Sequence, residues 1–406
     1  MAEPTVISLY SGVGGLDYGL EQAGFRTLVA VELDHDCCET LRHNGRGWKV
    51  IERDIARVSS DRIVAEAGVD DVDLLVGGPP CQPFSKSAWG VVDSRGMDDP
   101  RATTVKSLMR VLERVKPRAF LIENVEGFAY AGQDEGLSLV RSRLRSINKK
   151  HGTRYEAHVA VLDAAEHGAP QFRRRFFAVG ARDGTAFEFP KPTFGEGDGL
   201  TAYRTAWDAI GDLEDTDDPE LAAAGKWNTL LPSIPEGSNY LFHTNRGGGL
   251  PLFGWRTRFW TFLLKLAKAQ PSWTITAQPG PSTGPFHWKN RRLSLLEMRR
   301  LQTLPEGFDI KGERLSAQRQ VGNAVPSLLG EVLGREIRVQ LLGLPKIEGA
   351  LKLLPAVRSP CPRATPRRPV PPEHLHLLNE EHPDHPGPGK GPGALRRRKQ
   401  RLAAGG

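Results

Sequence analysis

The sequence predicts an α/β protein built around a mostly parallel sheet. In the first half of the chain, short apolar segments typical of buried strands alternate with longer amphipathic segments typical of helices. Seven strands can be placed before residue 183, which is enough for one doubly wound domain. The expected strands are Val6–Tyr10, Thr27–Val31, Trp48–Ile51, Asp73–Val76, Ala119–Ile122, Ala157–Leu162 and Phe176–Val179.

Apolar periodicity predicts helices between these strands and again near the end of the chain. Ser294 and Glu297 have the spacing of a capping box, which predicts a helix that begins at Leu295. The expected helices are Leu16–Ala23, Asp36–Asn44, Asp61–Ala67, Thr104–Val115, Leu137–Ile147, Leu295–Thr303 and Ser327–Leu342.

A change of composition after residue 183 predicts a second, smaller domain. From Ala186 to Trp288 the chain is rich in Gly, Pro, Trp and Phe, with many turn signals and little periodicity. We expect the α/β domain to comprise residues 1–183 and 310–346, and a loop-rich domain to comprise 186–290. Residues 291–309 would form a hinge helix, and 347–406 a disordered, basic, Pro-rich tail.

The composition excludes several classes of protein. With 39% hydrophobic and 25% charged residues the chain is an ordinary globular protein, and no apolar run reaches the roughly 18 residues of a membrane helix. The N-terminus lacks the features of a signal peptide, so a cytoplasmic location is expected. Four cysteines are too few and too unevenly spaced for a disulfide framework or a two-pair zinc site, and no metal is expected.

The formal charge of +7 suggests a nucleic-acid-binding protein, but its distribution weakens that argument. Residues 351–406 hold 11 Lys and Arg and 4 Asp and Glu, which accounts for the whole excess. Lys and Arg balance Asp and Glu in the rest of the chain. A nucleic-acid groove there would have to be a local basic patch.

A glycine-rich turn, Ser11–Gly15, follows the first strand and opens a helix, as in nucleotide-binding folds. Asp17 stands where a dinucleotide site has Gly or Ala, and its carboxylate would repel a pyrophosphate. Glu32 and Asp54 end the second and third strands, where they could accept hydrogen bonds from ribose and adenine, although a lone acid there is as often a cap. Together these residues favour adenosine without phosphates, and S-adenosylmethionine fits.

A second loop, Gly77–Ser85, contains Cys81 together with two glycines and three prolines. A lone cysteine is usually a buried packing residue. A rigid loop at the carboxyl edge of the sheet favours a nucleophile instead, since the restricted backbone holds the thiol in place. Glu123 ends the fifth strand at the same edge and would supply a carboxylic acid.

A run of three arginines follows Gln171. Because side chains alternate along a strand, Arg173 and Arg175 should share one face and Arg174 the other. Such a run is as often a solvated surface as a phosphate contact, and near a thiol its guanidinium groups would also favour the thiolate.

In order along residues 5–340, these runs resemble the motifs of the DNA (cytosine-5) methyltransferases of bacterial restriction-modification systems. The matching motifs are the Pro-Pro-Cys loop, Glu123-Asn124-Val125, Gln171–Arg175 and Gln320–Pro326. The resemblance implies a Rossmann-like class I S-adenosylmethionine-dependent methyltransferase fold, in which the α/β domain is catalytic and residues 186–290 recognise the target. The first motif departs from the family, with Ser8 for Asp and Tyr10 for Phe.

The resemblance also implies residue roles. Cys81 would attack C6 of a flipped cytosine, and Glu123 would hydrogen-bond or protonate N3. Arg175, and less directly Arg173, would hold the base or the phosphates. S-adenosylmethionine would lie among Tyr10, Gly12, Gly14, Gly15, Glu32, Asp54, Ile55, Pro80 and Asn323. The residues expected at the DNA are Gln82, Ser85, Arg246, Arg256, Arg258 and Thr274, of which the arginines alternate with aromatic residues and glycines.

The expected partners are double-stranded DNA and a cognate restriction endonuclease acting on the same site. The enzyme is expected to be a monomer that associates with the nucleoid and not with a membrane. The alternatives are a transfer RNA cytosine-5 methyltransferase of the same family, a nicotinamide-dependent dehydrogenase and a non-catalytic DNA-binding regulator. A middle segment of roughly 100 residues favours duplex DNA. The basic run Arg396–Arg401 predicts a tail with non-specific DNA affinity, so that deleting 355–406 would flatten the salt dependence and spare the specific site.

Overall fold

The protein divides into two units, each assembled from three separate segments of the chain. The computed structural model describes residues 3–45, 47–80, 100–129, 135–254 and 260–380. The first unit comprises Met1–Thr216, Lys268–Gln278 and Ser294–Cys361. The second unit comprises Asp217–Ala267, Pro279–Leu293 and Pro362–Gly406.

The first unit contains a seven-stranded sheet. Its strands are Thr5–Leu9 (β1), Arg26–Glu32 (β2), Lys49–Glu52 (β3), Leu74–Gly77 (β4), Ala119–Val125 (β5), His158–Asp163 (β6) and Arg174–Ala181 (β7). Their order across the sheet is β3-β2-β1-β4-β5-β7-β6, with β7 antiparallel to β5 and β6 and the other pairs parallel. Each strand overlaps its predicted segment, and the predicted fold class is confirmed.

Helices cover both faces of the sheet. They are Gly15–Gln22 (α1), His35–His43 (α2), Ser60–Ala67 (α3), Pro100–Val115 (α4), Glu135–His151 (α5), Ala206–Ile210 (α6), Leu295–Leu301 (α7), Arg314–Asn323 (α8) and Ser327–Gln340 (α9). The capping box predicted for α7 is present, with Ser294 and Glu297 each bonding the other's backbone N–H. The helices α6 and α8 were not predicted from the sequence.

Side-chain alternation along the strands builds a separate core on each face of the sheet. Ile7 and Leu9 of β1 pack with α3, α4 and α5. Val6 of the same strand packs on the opposite face with α1 and α9. Because both faces are covered, the central strands are mostly apolar.

The helices α1 and α9 approach closely because glycines face each other. A methyl group added at Gly19 would lie 2.0 Å from the carbonyl oxygen of Ser327 and 2.7 Å from the Cα of Gly330. Only residues without a Cβ fit at this crossing. The contact joins the first helix of the chain to its last long one.

In its described residues, the second unit is formed by turns and short 3₁₀ helices such as Asn228–Ser233 and Tyr240–His243. Its core is aromatic and includes Trp227 and Phe253. Leu377, from the far end of the chain, is also buried in this core.

The domain limits differ from those expected. Residues 186–216 and 268–278 belong by their contacts to the first unit, so the second begins at Asp217 and not at 186. The expected disorder of 347–406 is also not found over its described part. Lys352 and Leu353 donate their N–H groups to the buried carboxylate of Glu331, at 2.8 and 2.9 Å. Prolines hold the following chain extended, and although Val357 is 64% exposed, Leu377 is buried.

Across the described ranges, none of the helices has the length and apolar character needed to cross a membrane.

We predict that Gly19→Ala lowers the free energy of unfolding by about 1–3 kcal/mol, since backbone atoms on α9 cannot move aside as a flexible side chain would. Urea unfolding of both proteins measures this difference. Gly280→Ala is the matched control, because its added methyl group meets only the Thr283 hydroxyl at 3.4 Å. Equal unfolding midpoints for the two variants would contradict the prediction.

Candidate active site

The glycine-rich turn after β1 has the backbone geometry that its sequence requires. Gly12 and Gly14 have φ angles of +54° and +81°, in the left-handed region that favours glycine. Gly14 caps α1, and its N–H donates to the Ser11 carbonyl at 2.8 Å. A Cβ at Gly12 would meet no atom within 4 Å, so this turn is open to a ligand.

Glu32 is fixed beside this turn by three backbone N–H groups. One carboxylate oxygen accepts from Gly12 at 2.7 Å, and the other accepts from Leu33 at 2.7 Å and Asp34 at 2.8 Å. A carboxylate has about four acceptor positions, so one remains for a further donor such as a ribose hydroxyl.

Asp54 lies at the end of the neighbouring strand and is partly a structural cap. Its Oδ1 accepts the N–H of Ala56, which begins the 3₁₀ helix Ile55–Arg57. Its Oδ2 has no hydrogen-bond partner among the described residues and is free to accept from an amine. Ile55 is buried. The cap and the ligand contact are therefore compatible.

Tyr10 lies between these acids and α4. Its hydroxyl donates to the carbonyl of Thr104 at 2.9 Å. Burial raises the pKa of Tyr10, and the nearby charge of Asp54 adds to this shift, so the ring stays neutral. The hydroxyl that distinguishes Tyr10 from the family's Phe therefore forms a hydrogen bond to the backbone of α4.

Asp17 is buried in the first turn of α1. Burial raises its pKa from 3.8 to about 7, and the Ser8 hydroxyl opposes this shift. Within the described residues its Oδ1 has no hydrogen-bond partner. An acid at this point leaves no anion site at the helix N-terminus, which agrees with a ligand that lacks phosphates.

The segment Gln320–Pro326 packs against the glycine-rich turn. A methyl group added at Gly15 would lie 2.4 Å from the carbonyl oxygen of Val325. Asn323, the last residue of α8, is exposed beside this contact. The Arg319 guanidinium bonds the Asp34 carboxylate at 2.7 Å, which ties α8 to the N-terminus of α2.

These residues fit S-adenosylmethionine: two acids for the ribose and the amine, an open turn and no phosphate site. Sequence reasoning missed Leu33, which directly follows Glu32 and is 66% exposed. Its apolar side chain would cover part of an adenosine held by Glu32. The sequence signal that could have indicated Leu33 is an apolar residue directly after the acidic residue at the end of a strand.

Glu123 lies at the carboxyl end of β5, with only 13% of its side chain exposed. Its Oε1 is 3.1 Å from the Nε of Arg175 on the adjacent strand β7. Burial raises the pKa of Glu123, and the guanidinium groups of Arg175 and Arg173 oppose this shift. The site thus holds a carboxyl group whose charge depends on its arginine partner.

The loop that leads to Cys81 is held against Glu123. A Cβ at Gly78 would lie 3.0 Å from the Glu123 Oε2, and the Asn124 side chain donates to the Pro79 carbonyl at 3.1 Å. Pro80 is exposed at this edge. Five predicted site residues lie outside the described residues, namely Cys81, Gln82, Ser85, Arg256 and Arg258.

Arg173 has a different environment from the one expected. It is 1% exposed and donates to the carbonyls of Gly322 at 2.6 Å and Ile275 at 3.3 Å. A side chain enclosed in this way has no path to a base or a phosphate. Arg174 on the other face is exposed and pairs with Glu126 at 2.8 Å, so the predicted alternation is present.

The two described residues expected at the DNA belong to different units. Thr274 is in the first unit, where its hydroxyl donates to the Phe172 carbonyl at 2.7 Å. Arg246 is exposed on a turn of the second unit.

The strand order, the antiparallel β7 and the acids that end β2 and β3 define a class I S-adenosylmethionine-dependent methyltransferase. Comparison with known proteins gives the family. Residues 4–338 match the model of the C-5 cytosine-specific DNA methylases, and the chain belongs to that family.

Two relatives support this assignment, and a solved structure shares the fold. The Type II methyltransferase M.SacI of Streptomyces achromogenes is 37% identical over 84% of this chain and 94% of its own length. The Type II methyltransferase M.NgoFVII of Neisseria gonorrhoeae is 33% identical over 80% and 83%. The crystal structure of S. pombe Dnmt2 methyltransferase superposes with a TM-score of 0.56 at 17% identity, over 82% of this chain and 98% of that one. The expected enzyme class, DNA (cytosine-5) methyltransferase, is confirmed.

We predict that Asp17→Asn changes how stability depends on pH. The folded protein holds the Asp17 proton up to about pH 7 and the unfolded chain only up to 3.8. This group's contribution is therefore complete below pH 3.8 and declines by about 1.4 kcal/mol per pH unit until pH 7. The stability of the variant relative to the natural protein should rise over that window and then level off.

Urea unfolding at a series of pH values measures the effect. Asp61→Asn, an exposed acid in the first turn of α3, is the control for loss of one charge. The same pH trend in both variants would refute the assignment to Asp17.

Proposed function

We propose that this protein transfers a methyl group from S-adenosylmethionine to C5 of cytosine within a specific DNA sequence, through a covalent bond between Cys81 and C6. The observation that carries the proposal is the contact of Glu123 with Arg175 on one side and with the Gly78–Pro80 segment before Cys81 on the other. S-adenosylmethionine, when bound, supplies an electrophilic methyl group.

The target carbon of a paired cytosine is enclosed in the stack, so the base must first be extruded, at a cost of a few kcal/mol. The Cys81 thiolate then forms a bond to C6, and the electron pair of the C5–C6 double bond moves toward N3 and C5. After C5 has gained the methyl group it loses its proton, and the C6–S bond breaks to release the thiolate. One difficult transfer is thereby divided into easier steps.

Glu123 assists this addition by hydrogen-bonding or protonating N3. Burial favours the neutral acid, and a neutral acid is the form that can donate. Arg175 orients the carboxyl through its Nε and keeps the pKa of Glu123 from rising further. Arg173 acts on the site indirectly by holding the Gly322 carbonyl next to Asn323.

The second unit is proposed to read the DNA sequence, because its turns carry the exposed Arg246, several glycines and Trp260, which is 51% exposed. The Type II names of its relatives suggest a restriction-modification system with a cognate endonuclease. We further propose that the enzyme acts as a monomer on chromosomal DNA in the cytoplasm.

We predict that expression in a methylation-free host protects cytosines in one short motif from bisulfite conversion, and that Cys81→Ala abolishes protection. Glu123→Gln should reduce methyl transfer by about 10²-fold or more, since the amide cannot donate a proton to N3 in the same way. Genome sequencing after bisulfite treatment, with tritium transfer to DNA and transfer RNA in parallel, measures both.

Cys361→Ala, which removes an exposed thiol, is the control and should retain activity. Label in transfer RNA and not in DNA would favour the RNA alternative. Absence of protected motifs with the natural protein would refute the proposed function.

We also predict that Arg175→Met moves the alkaline limb of the pH profile of kcat/KM to higher pH. The guanidinium lowers the pKa of Glu123, so its removal keeps the acid protonated at higher pH. Arg174→Met is the matched control, because this neighbour points away and pairs with Glu126. An alkaline limb that stays in place or moves to lower pH would contradict the role given to Arg175.

A further inference from the structure

The C-terminal segment 362–380 completes the second unit. Leu377 is buried in the aromatic core, and the His374 ring stacks on Trp227 with centroids 5.6 Å apart and an interplanar angle of 21°. The His374 Nε2 also lies 2.8 Å from the Thr229 hydroxyl. A segment fixed in this way has a defined position relative to the turns of its unit.

Leu377 and His374 lie in the 3₁₀ helix Pro372–Asn379, and backbone N–H groups fix the part of the segment that precedes it. The Thr365 N–H donates to the Glu236 carboxylate at 2.7 Å, and the Arg368 N–H donates to the Pro232 carbonyl at 2.9 Å. The side chains of Arg363, Arg367 and Arg368 are exposed. Among the described residues, none of these three guanidinium groups forms an ion pair with a carboxylate.

The formal charge is concentrated in the second unit when its three segments are counted together. It holds 17 Lys and Arg and 8 Asp and Glu, whereas the first unit holds 38 and 40. The sequence had placed this excess in a detached tail. Residues 362–380, which hold three Arg and two Glu of that tail, instead belong to the unit with the exposed turns.

Arg367 lies over the Phe242 ring, 5.3 Å from its centroid. The same ring packs against the Gly247–Gly249 run, since a Cβ at Gly249 would lie 2.6 Å from it. Arg246, also exposed and without a carboxylate partner in the described part of the chain, precedes that run. Two cations thus flank one glycine turn, and an aromatic ring holds one of them in place.

We propose that Arg367, with Arg363 and Arg368, binds backbone phosphates of the duplex that the enzyme methylates, so that the C-terminal segment forms part of the DNA-binding surface. The inference rests on the proposed function for the identity of that duplex. Exposed guanidinium groups without acidic partners in the described part of the chain, one of them held beside a glycine turn, suit phosphate contacts that set the register of a reading loop.

The test compares full-length natural protein, Arg367→Ala and Arg145→Ala in binding a short duplex at several salt concentrations. Arg145 is the control for loss of one positive charge, because it is an exposed arginine on α5 and belongs to the first unit. The slope of log K against log salt is negative, and loss of one phosphate contact in Arg367→Ala should make it less steep by about 0.9. Arg145→Ala should keep the natural slope. A natural slope in Arg367→Ala, or an equal loss in Arg145→Ala, would overturn the proposal.

A second pair of variants separates the contribution of residues 362–380 from that of residues 381–406. The Arg367→Ala effect should persist in a protein that ends at Glu380, because residues 362–380 are retained there. Disappearance of the effect in that background would assign the contact to residues 381–406 and overturn the inference. A natural protein that binds DNA but transfers no methyl group would instead count against the proposed function alone, since the salt slopes do not depend on catalysis.

Discussion

The buried side chains of Gln171 and Arg173 hold the discontinuous first unit together. Arg173 lies in the first segment of that unit and donates to a carbonyl in each of the other two, at Ile275 and Gly322. Gln171 accepts from the Ile275 N–H at 3.1 Å and donates to the Leu301 carbonyl at 3.2 Å. Buried polar groups are costly unless satisfied, so these bonds permit few alternative arrangements.

That junction also connects the fold to the reaction. The strand β7 begins directly after Arg173. Two residues beyond Arg173, Arg175 of this strand contacts Glu123 on the adjacent strand β5. The segment held by Arg173 presents Asn323 and packs Val325 onto the glycine-rich turn. Glu123 and the glycine-rich turn are therefore positioned by neighbouring parts of one buried network.

Much of the fold was predictable, because a sheet covered on both faces leaves strong apolar runs in its strands. The helix α8 gave no such signal. It is held by long-range polar contacts such as Gln320 with Thr40, while its Leu315 is exposed. Motif resemblance gave candidate site residues but not their exposure, so Arg173 was expected at the ligand. The Pro-rich composition of 355–380 predicted disorder because composition does not reveal that Leu377 and His374 find an aromatic core.

The position of Leu377 has a consequence for how the protein is made. Chains emerge from the ribosome from the N-terminus, and domains fold as their sequence becomes available. The second unit lacks part of its core until residue 377 has been synthesised. The first unit similarly waits for α9. Neither core is complete before these residues have left the ribosome, so a nascent methyltransferase would remain inactive until residue 377 is available to fold.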